Sequence, residues 1–320
     1  MMQKSLYASG IDGGGSKTRA VIVDAQGNER GRGLAGSANY HAVGVELAVA
    51  HIRQATEEAA QEAGCSLPVE AAWLGLAGID RPSDSQLLVP HLRFLARSLR
   101  LTNDAELVLS ALEEKPGVAL IAGTGSIALG QDSRGRIERS GGWGHILGDE
   151  GSGYDIGRRT LQAAAKAADG RGPKTSLLEL VLNHWQLARA DEMIGKVYGR
   201  EDKAMIAEIS SLTFQAAREG DKIARKIVQK AARELAQAVI AVADRLNLQE
   251  QELSLALGGG ILLHEADFRS MVLRHIQKHF SLEQVAFVKE PVLSAACAAL
   301  RMTRRNTRER MQAWETLPTA

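Results

Sequence analysis

Cysteine is scarce in this sequence: Cys65 and Cys297 are the two it has, in no C-x-x-C pair and with no metal-ligating neighbours. That excludes a disulfide framework, and both read as small apolar residues near alanines. Aromatic residues make up 4% of the chain, which argues against a platform for stacking bases. Neither sign of charge dominates. The formal net charge is +1, too little to recruit nucleic acid or an acidic membrane surface. Long apolar runs are missing as well: the opening M-M-Q-K-S-L-Y-A-S-G has none, and no stretch reaches the about eighteen residues that a membrane span requires. These absences point to a protein of the reducing cytoplasm with no nucleic-acid or membrane partner.

What the chain does have is length and glycine. Its 320 residues, 45% hydrophobic and 24% charged, suit a two-lobed α/β protein with a sizeable core. Glycine is concentrated from Ile121 to Gly157, where Gly141, Gly142, Gly144, Gly148, Gly151, Gly153 and Gly157 alternate with Trp143, His145, Asp149 and Glu150. An ordinary turn needs far fewer. Residues without a side chain allow positive φ and let a ligand approach the backbone, so this stretch reads as a binding site.

In chain order, Leu6 to Ile11 and Thr18 to Asp24 are strands around the turn D-G-G-G-S-K-T, with a third strand near Glu29 to Ala35. A helix is expected from Val45 to Ala63, a strand from Ala71 to Leu76, mostly helix from Asp84 to Leu99, and a strand ending at Thr102. Lys115-Pro116-Gly117 punctuates the chain, so a first lobe is expected over residues 1–117, joined by a C-terminal helix over 301–320. The second lobe then spans 118–300. Its start, I-A-G-T-G-S-I-A-L-G-Q-D at Ile121, echoes I-D-G-G-G-S-K-T-R-A-V-I-V-D at Ile11: strand, glycine turn with hydroxyls, strand, aspartate. A duplicated sheet domain is implied, with a nucleotide between two phosphate-gripping hairpins.

Two familiar patterns fail on context. Gly10 to Thr18 nearly matches the P-loop, but Ser16 separates Gly15 from Lys17 and a strand follows where that loop needs a helix. Gly31, Gly33 and Gly36 fit G-x-G-x-x-G, yet no helix opens there. What remains are glycine turns at strand ends at Gly13, Gly123 and Gly258, whose N–H groups can face phosphate oxygens, aided by Ser16 and Thr124. Asp12, at the first strand's end, is placed to hold Mg²⁺, through water since that ion keeps much of its hydration.

With these motifs the chain resembles the sugar kinase, actin and heat-shock chaperone superfamily and, within it, the BadF/BadG-type ATPases that include N-acetylglucosamine kinases. G-G-W-G-H-x-x-G-D-E-G-S is the specific part of the likeness. The resemblance implies an α/β fold of two ribonuclease H-like, actin-like ATPase lobes with a nucleotide cleft between them. It implies that ATP and Mg²⁺ are used to phosphorylate a sugar hydroxyl, most readily the 6-hydroxyl of N-acetylglucosamine or a related amino sugar. Gly13, Gly14, Gly15, Ser16 and Lys17 then form the first nucleotide loop, Gly123 and Thr124 the second, and Gly258, Gly259 and Gly260 the adenosine turn. Asn39, Gly78, Gly125, Gly142, Trp143 and Asp149 fall at acceptor-sugar positions, and Asp104 matches the catalytic base. One residue departs from the pattern: Ile127 follows G-T-G-S where N-acetylglucosamine kinases carry an asparagine that touches the sugar.

Competing readings stand beside these. Asp104 can be a helix cap, Trp143 a core aromatic, and His145 and His264 read as structural. Iron–sulfur chemistry, used by dehydratase activators of the wider family, needs cysteines that Cys65 and Cys297 do not supply. A nucleotide-driven conformational switch, a kinase for another hexose such as glucosamine, and association into a homodimer are open alternatives.

Overall fold

The computed structural model describes residues 6–79, 81–113, 115–199, 202–248 and 252–315, and of residues 82 and 304–315 the backbone. The chain divides into two compact units, Met1–Glu114 with Glu290–Ala320, and Lys115–Lys289.

In the first unit, β1 (Ala8–Gly13), β2 (Thr18–Val23) and β3 (Glu29–Ala35) form an antiparallel meander. A short α1 (Tyr40–Val43) and a long α2 (Val45–Glu62) lead to β4 (Val69–Leu76); α3 (Pro82–Leu92) leads to β5 (Ala96–Thr102), which α4 (Ala105–Leu109) follows. β4 and β5 add in parallel to β1, giving the order β3-β2-β1-β4-β5. The buried side of α2, with Ile52, Ala55 and Ala59, covers one sheet face. Here the G-x-G-x-x-G match gains a physical account. A Cβ on Gly31 would lie 2.1 Å from the Ala59 carbonyl oxygen, and one on Gly33 1.8 Å from that of Ala55. These glycines let a helix touch a strand.

The second unit repeats the plan. β6 (Gly117–Ala122), β7 (Ser126–Gln131) and β8 (Ile137–Gly141) form the meander, and β9 (Leu253–Gly258) and β10 (Leu282–Phe287) pair in parallel, in the order β10-β9-β6-β7-β8. Strand order and senses match those of the first sheet, which accounts for the echo in the sequence. Between β8 and β9 lie α5 (Gly144–Leu147), α6 (Gly153–Ala168), α7 (Leu177–Trp185), α8 (Glu192–Tyr198), α9 (Lys203–Glu208), α10 (Ser210–Arg218) and α11 (Lys222–Arg245). α12 (Gly260–His264) and α13 (Ala266–Ile276) precede β10. The buried residues of α11, Ile227, Ala231, Leu235, Val239 and Val242 among them, are core, as their helical spacing predicts.

Two boundaries differ from the sequence reading. Residues 96–99 are not helical: α3 carries Pro90 near its end, and Ala96 to Leu99 pair with β4, since parallel pairing with that strand outweighs a short helical pattern. The helix α14 (Pro291–Glu315) belongs to the first unit from its start, so the second unit closes at Lys289 and not at residue 300. Its small residues Ala295, Ala296 and Ala299 pack with Ala8, Val21, Trp73 and Leu107 on the sheet face opposite α2. Residues 316–320 of the expected C-terminal helix lie outside the described residues. Among the described residues no helix is long and apolar enough to cross a membrane.

Gly33→Ala should lower stability by about 1–3 kcal/mol, the usual range for overpacking, whereas Gly15→Ala, with nothing within 4 Å of its added Cβ, should leave the thermal midpoint unchanged. Thermal unfolding of both variants checks this; equal midpoints would remove the packing explanation for Gly33.

Candidate active site

In each unit the expected site residues gather where parallel strands end at their carboxyl termini, the edge at which open α/β sheets bind ligands. In the first unit the β1–β2 hairpin pairs Asp12 with Arg19 and Gly13 with Thr18. The Gly14 N–H donates to the Lys17 carbonyl at 2.9 Å, leaving Gly15, Ser16 and Lys17 exposed at the tip. Neighbouring segments hold its base: Ala77 N–H donates to the Gly13 carbonyl at 2.8 Å and Ala38 N–H to that of Gly14 at 3.2 Å.

The Asp12 side chain is 22% exposed and lies 3.7 Å from the Arg19 guanidinium. Burial holds its carboxyl above the usual carboxylate range, against the opposing pull of Arg19 and Lys17. Among the described residues no group of three or more His, Cys, Asp or Glu converges into a metal cage. A single strand-end carboxylate fits an ion that takes most of its ligands from water and phosphate, as Mg²⁺ does.

The residues of this unit expected at acceptor positions are contiguous. Asn39 caps α1, its Oδ1 accepting from the His41 N–H at 3.1 Å, while His41 Nε2 donates to the Gly78 carbonyl at 3.2 Å. Gly78 has φ +88°, and a Cβ there would come within 2.9 Å of the His41 ring and 3.2 Å of Asn39 Oδ1. Asp104 follows β5 at the same sheet edge, partly buried and with helical φ −60° and ψ −30°. It makes no side-chain capping bond. The cap is Asn103, whose Oδ1 accepts from the Ala105 N–H at 2.9 Å and whose carbonyl accepts from the Glu106 N–H at 3.1 Å. On α4, burial holds the Glu106 carboxyl above its usual range, with the Arg100 ion pair at 3.2 Å opposing.

In the second unit the turn Gly123–Gly125 is closed by a Gly123 N–H bond to the Gly125 carbonyl at 2.9 Å. The first residues of α6 dock on it, Gly153 N–H donating to the Gly123 carbonyl at 2.8 Å and Tyr154 N–H to that of Thr124 at 3.2 Å. The Gly258–Gly260 turn abuts it: Gly259 has φ +86°, and a Cβ there would lie 2.4 Å from the Ala122 carbonyl oxygen. Asp149, at φ +60°, folds back so that Oδ1 accepts from the Ser126 N–H at 3.2 Å. A Cβ on Gly125 would sit 3.1 Å from both its carboxylate oxygens. Gly142 joins the same strand end through its N–H bond to the Ser126 carbonyl at 3.1 Å. Trp143 is 63% exposed, with the Arg139 guanidinium 5.2 Å from its ring, so it is no core residue. His145 stacks edge-on against Tyr154, and Ile127 packs under Gly142.

Asp12, Gly13 to Lys17, Asn39, Gly78 and Asp104 thus form one set in the first unit. Gly123, Thr124, Gly125, Gly142, Trp143, Asp149 and Gly258 to Gly260 form another in the second. His41, Asn103 and Ser126 were not singled out by sequence reasoning. Asn103 carried a usable signal, an Asx residue at a strand end before a helical run.

The BadF/BadG/BcrA/BcrD ATPase family profile matches residues 9–299. The chain belongs to that family. Among family relatives, an N-acetyl-D-glucosamine kinase of Dictyostelium discoideum is 34% identical over 93% of this chain and 99% of its own. An N-acetylmuramic acid/N-acetylglucosamine kinase of Clostridium acetobutylicum is 36% identical over 80% of this chain and 85% of its own. A solved structure from Chromobacterium violaceum, described as a candidate N-acetylglucosamine kinase, superposes with a TM-score of 0.71 at 26% identity, over 92% of this chain and 99% of its own. The two-lobed actin-like ATPase fold expected of a BadF/BadG-type member is therefore the fold of this chain.

Asp12 carries a stability consequence. Its folded-state value lies above the ordinary 3.8, so ionised Asp12 takes stability away as pH rises through that window. Asp12→Asn should therefore raise the thermal midpoint at neutral pH in metal-free buffer, with the gain narrowing as pH falls towards the ordinary carboxylate value. A loss at neutral pH would mean that the Arg19 attraction outweighs burial.

Proposed function

We propose that this BadF/BadG-type ATPase is a carbohydrate kinase that transfers the γ-phosphoryl group of ATP to the 6-hydroxyl of N-acetylglucosamine or a related amino sugar. The carrying observation is the strand-end carboxylate of Asp104, relieved of helix capping by Asn103 and lying on the sheet edge that holds Asn39 and Gly78. Relatives described as amino-sugar kinases over most of the chain support the substrate class.

In this reading Asp104 accepts the proton of the attacking hydroxyl as its oxygen bonds to the γ-phosphorus and the bond to the β–γ bridging oxygen breaks, releasing ADP. Backbone N–H groups of Gly13–Lys17 and Gly123–Thr124 hold phosphate oxygens, and Gly258–Gly260 receive the adenosine. Asn39, Gly78, Gly125, Gly142, Trp143 and Asp149 orient the sugar. Asp12 would hold Mg²⁺, which when bound neutralises phosphate charge. A reducing cytoplasmic setting fits ATP supply and the free thiols of Cys65 and Cys297.

Coupled ADP release over amino sugars and plain hexoses tests the assignment; turnover independent of any sugar would overturn it. Asp104→Asn should fold normally, because Asn103 already caps α4, and lose about 10²- to 10⁴-fold in kcat. Parental turnover would exclude the base role. Trp143→Ala, at an exposed position, should weaken sugar binding in calorimetry while nucleotide affinity and the unfolding midpoint stay near parental values; equal losses for both ligands would remove Trp143 from the acceptor site.

A further inference from the structure

We infer that Asn103 is a positioning residue that locks the carboxylate of Asp104 to the acceptor loop; the inference rests on the base role proposed for Asp104. An aspartate at the start of a helix has a competing use. Its carboxylate is a good acceptor for the N–H groups of the first turn, and a side chain folded back onto them is turned away from substrate. Asn103 takes that task, Oδ1 on the Ala105 N–H at 2.9 Å. Its other end points elsewhere in the chain: Nδ2 donates to the carbonyl of Ile79 at 3.4 Å.

Ile79 is next to Gly78, whose carbonyl receives His41 Nε2, and His41 in turn donates its N–H to Asn39 Oδ1. A line of hydrogen bonds thus runs from Asn39 through His41, Gly78, Ile79 and Asn103 to the backbone on either side of Asp104. The same point is braced from below. Trp73 Nε1 donates to Thr102 Oγ1 at 2.9 Å, and that hydroxyl lies 3.2 Å from the Asn103 carbonyl oxygen and 3.3 Å from that of Leu74. The Asn103 backbone is fixed by β4 and its side chain by the Gly78–Ile79 turn, so base and acceptor loop hold one geometry. At 3.4 Å the bond from Asn103 Nδ2 to the Ile79 carbonyl is at the long end for an amide donor.

The two ends of the amide can be separated. Asn103→Ser keeps a capping oxygen and loses the reach to Ile79. It should leave the unfolding midpoint and the KM for ATP near parental values, raise the KM for the sugar, and lower kcat on the order of tenfold to a hundredfold, the scale of a misplaced reacting group. On an Asp104→Asn background the same change should cost no further kcat, because Asn103 acts through Asp104. Asn103→Asp, a second arm should serine destabilise the protein, keeps the cap and sets an acceptor against the Ile79 carbonyl; its kcat loss should be at least as large. Parental kcat and sugar KM in a folded Asn103→Ser or Asn103→Asp protein, or an equal further loss on the Asp104→Asn background, would overturn the inference. Parental turnover of Asp104→Asn alone would instead show that the base assignment had failed.

Discussion

Parallel pairing between the first strand of each hairpin and the strand that returns from a crossover helix is the constraint on which the candidate site depends. In the first unit β4 beside β1 and β5 beside β4, and in the second β9 beside β6, bring segments far apart in sequence to one edge of their own sheet with their carboxyl ends aligned. The hairpin turn and the crossover-strand turn then emerge together. A single bond from Ala77 N–H to the Gly13 carbonyl extends the β1–β4 ladder beyond the strands and sets the glycine hairpin beside Gly78. Shifting either strand by one residue would turn each alternating side chain to the other face and break this alignment.

Much of this was legible because short-range chemistry wrote it. Glycine turns with hydroxyls, β-branched runs on either side and a repeat of that design foretell both hairpins, and Asp104 is visible as an acid at a strand end. What stayed hidden is long-range. That Asn103, and not Asp104, caps α4 depends on two adjacent Asx residues whose roles only the fold separates. Gly31 and Gly33 look like a dinucleotide fingerprint until α2 is seen against them. The stretch Ala96 to Leu99 follows a helix without a glycine stop, and its strand identity comes from β4 and not from its own residues. For Trp143, periodicity was silent between core and surface, and exposure decides it.

The glycines divide by the kind of space they keep. At Gly31, Gly33 and Gly259 the missing Cβ would strike protein backbone, so glycine serves packing. At Gly15 the missing Cβ would meet nothing of the protein, and packing does not ask for glycine there. Asp149 adds a polar example: its positive φ folds the carboxylate back onto the Ser126 N–H, so the G-G-W-G-H-x-x-G-D segment is tied to the start of β7 by a residue outside the meander.

The place of α14 has a consequence for how the chain matures. The first unit begins the sequence, yet the sheet face opposite α2 is covered by a helix that starts at Pro291, after the whole second unit has been made. Domains generally fold as units during synthesis, in the order they leave the ribosome. Here the later unit is uninterrupted and can complete its core first. The earlier one must wait with Val21, Ala71 and Trp73 uncovered until Val292, Ala295 and Ala299 arrive. The second unit is thus an insertion within the first, and the interval between making β1 and covering it is the period in which the nascent chain most needs protection from aggregation.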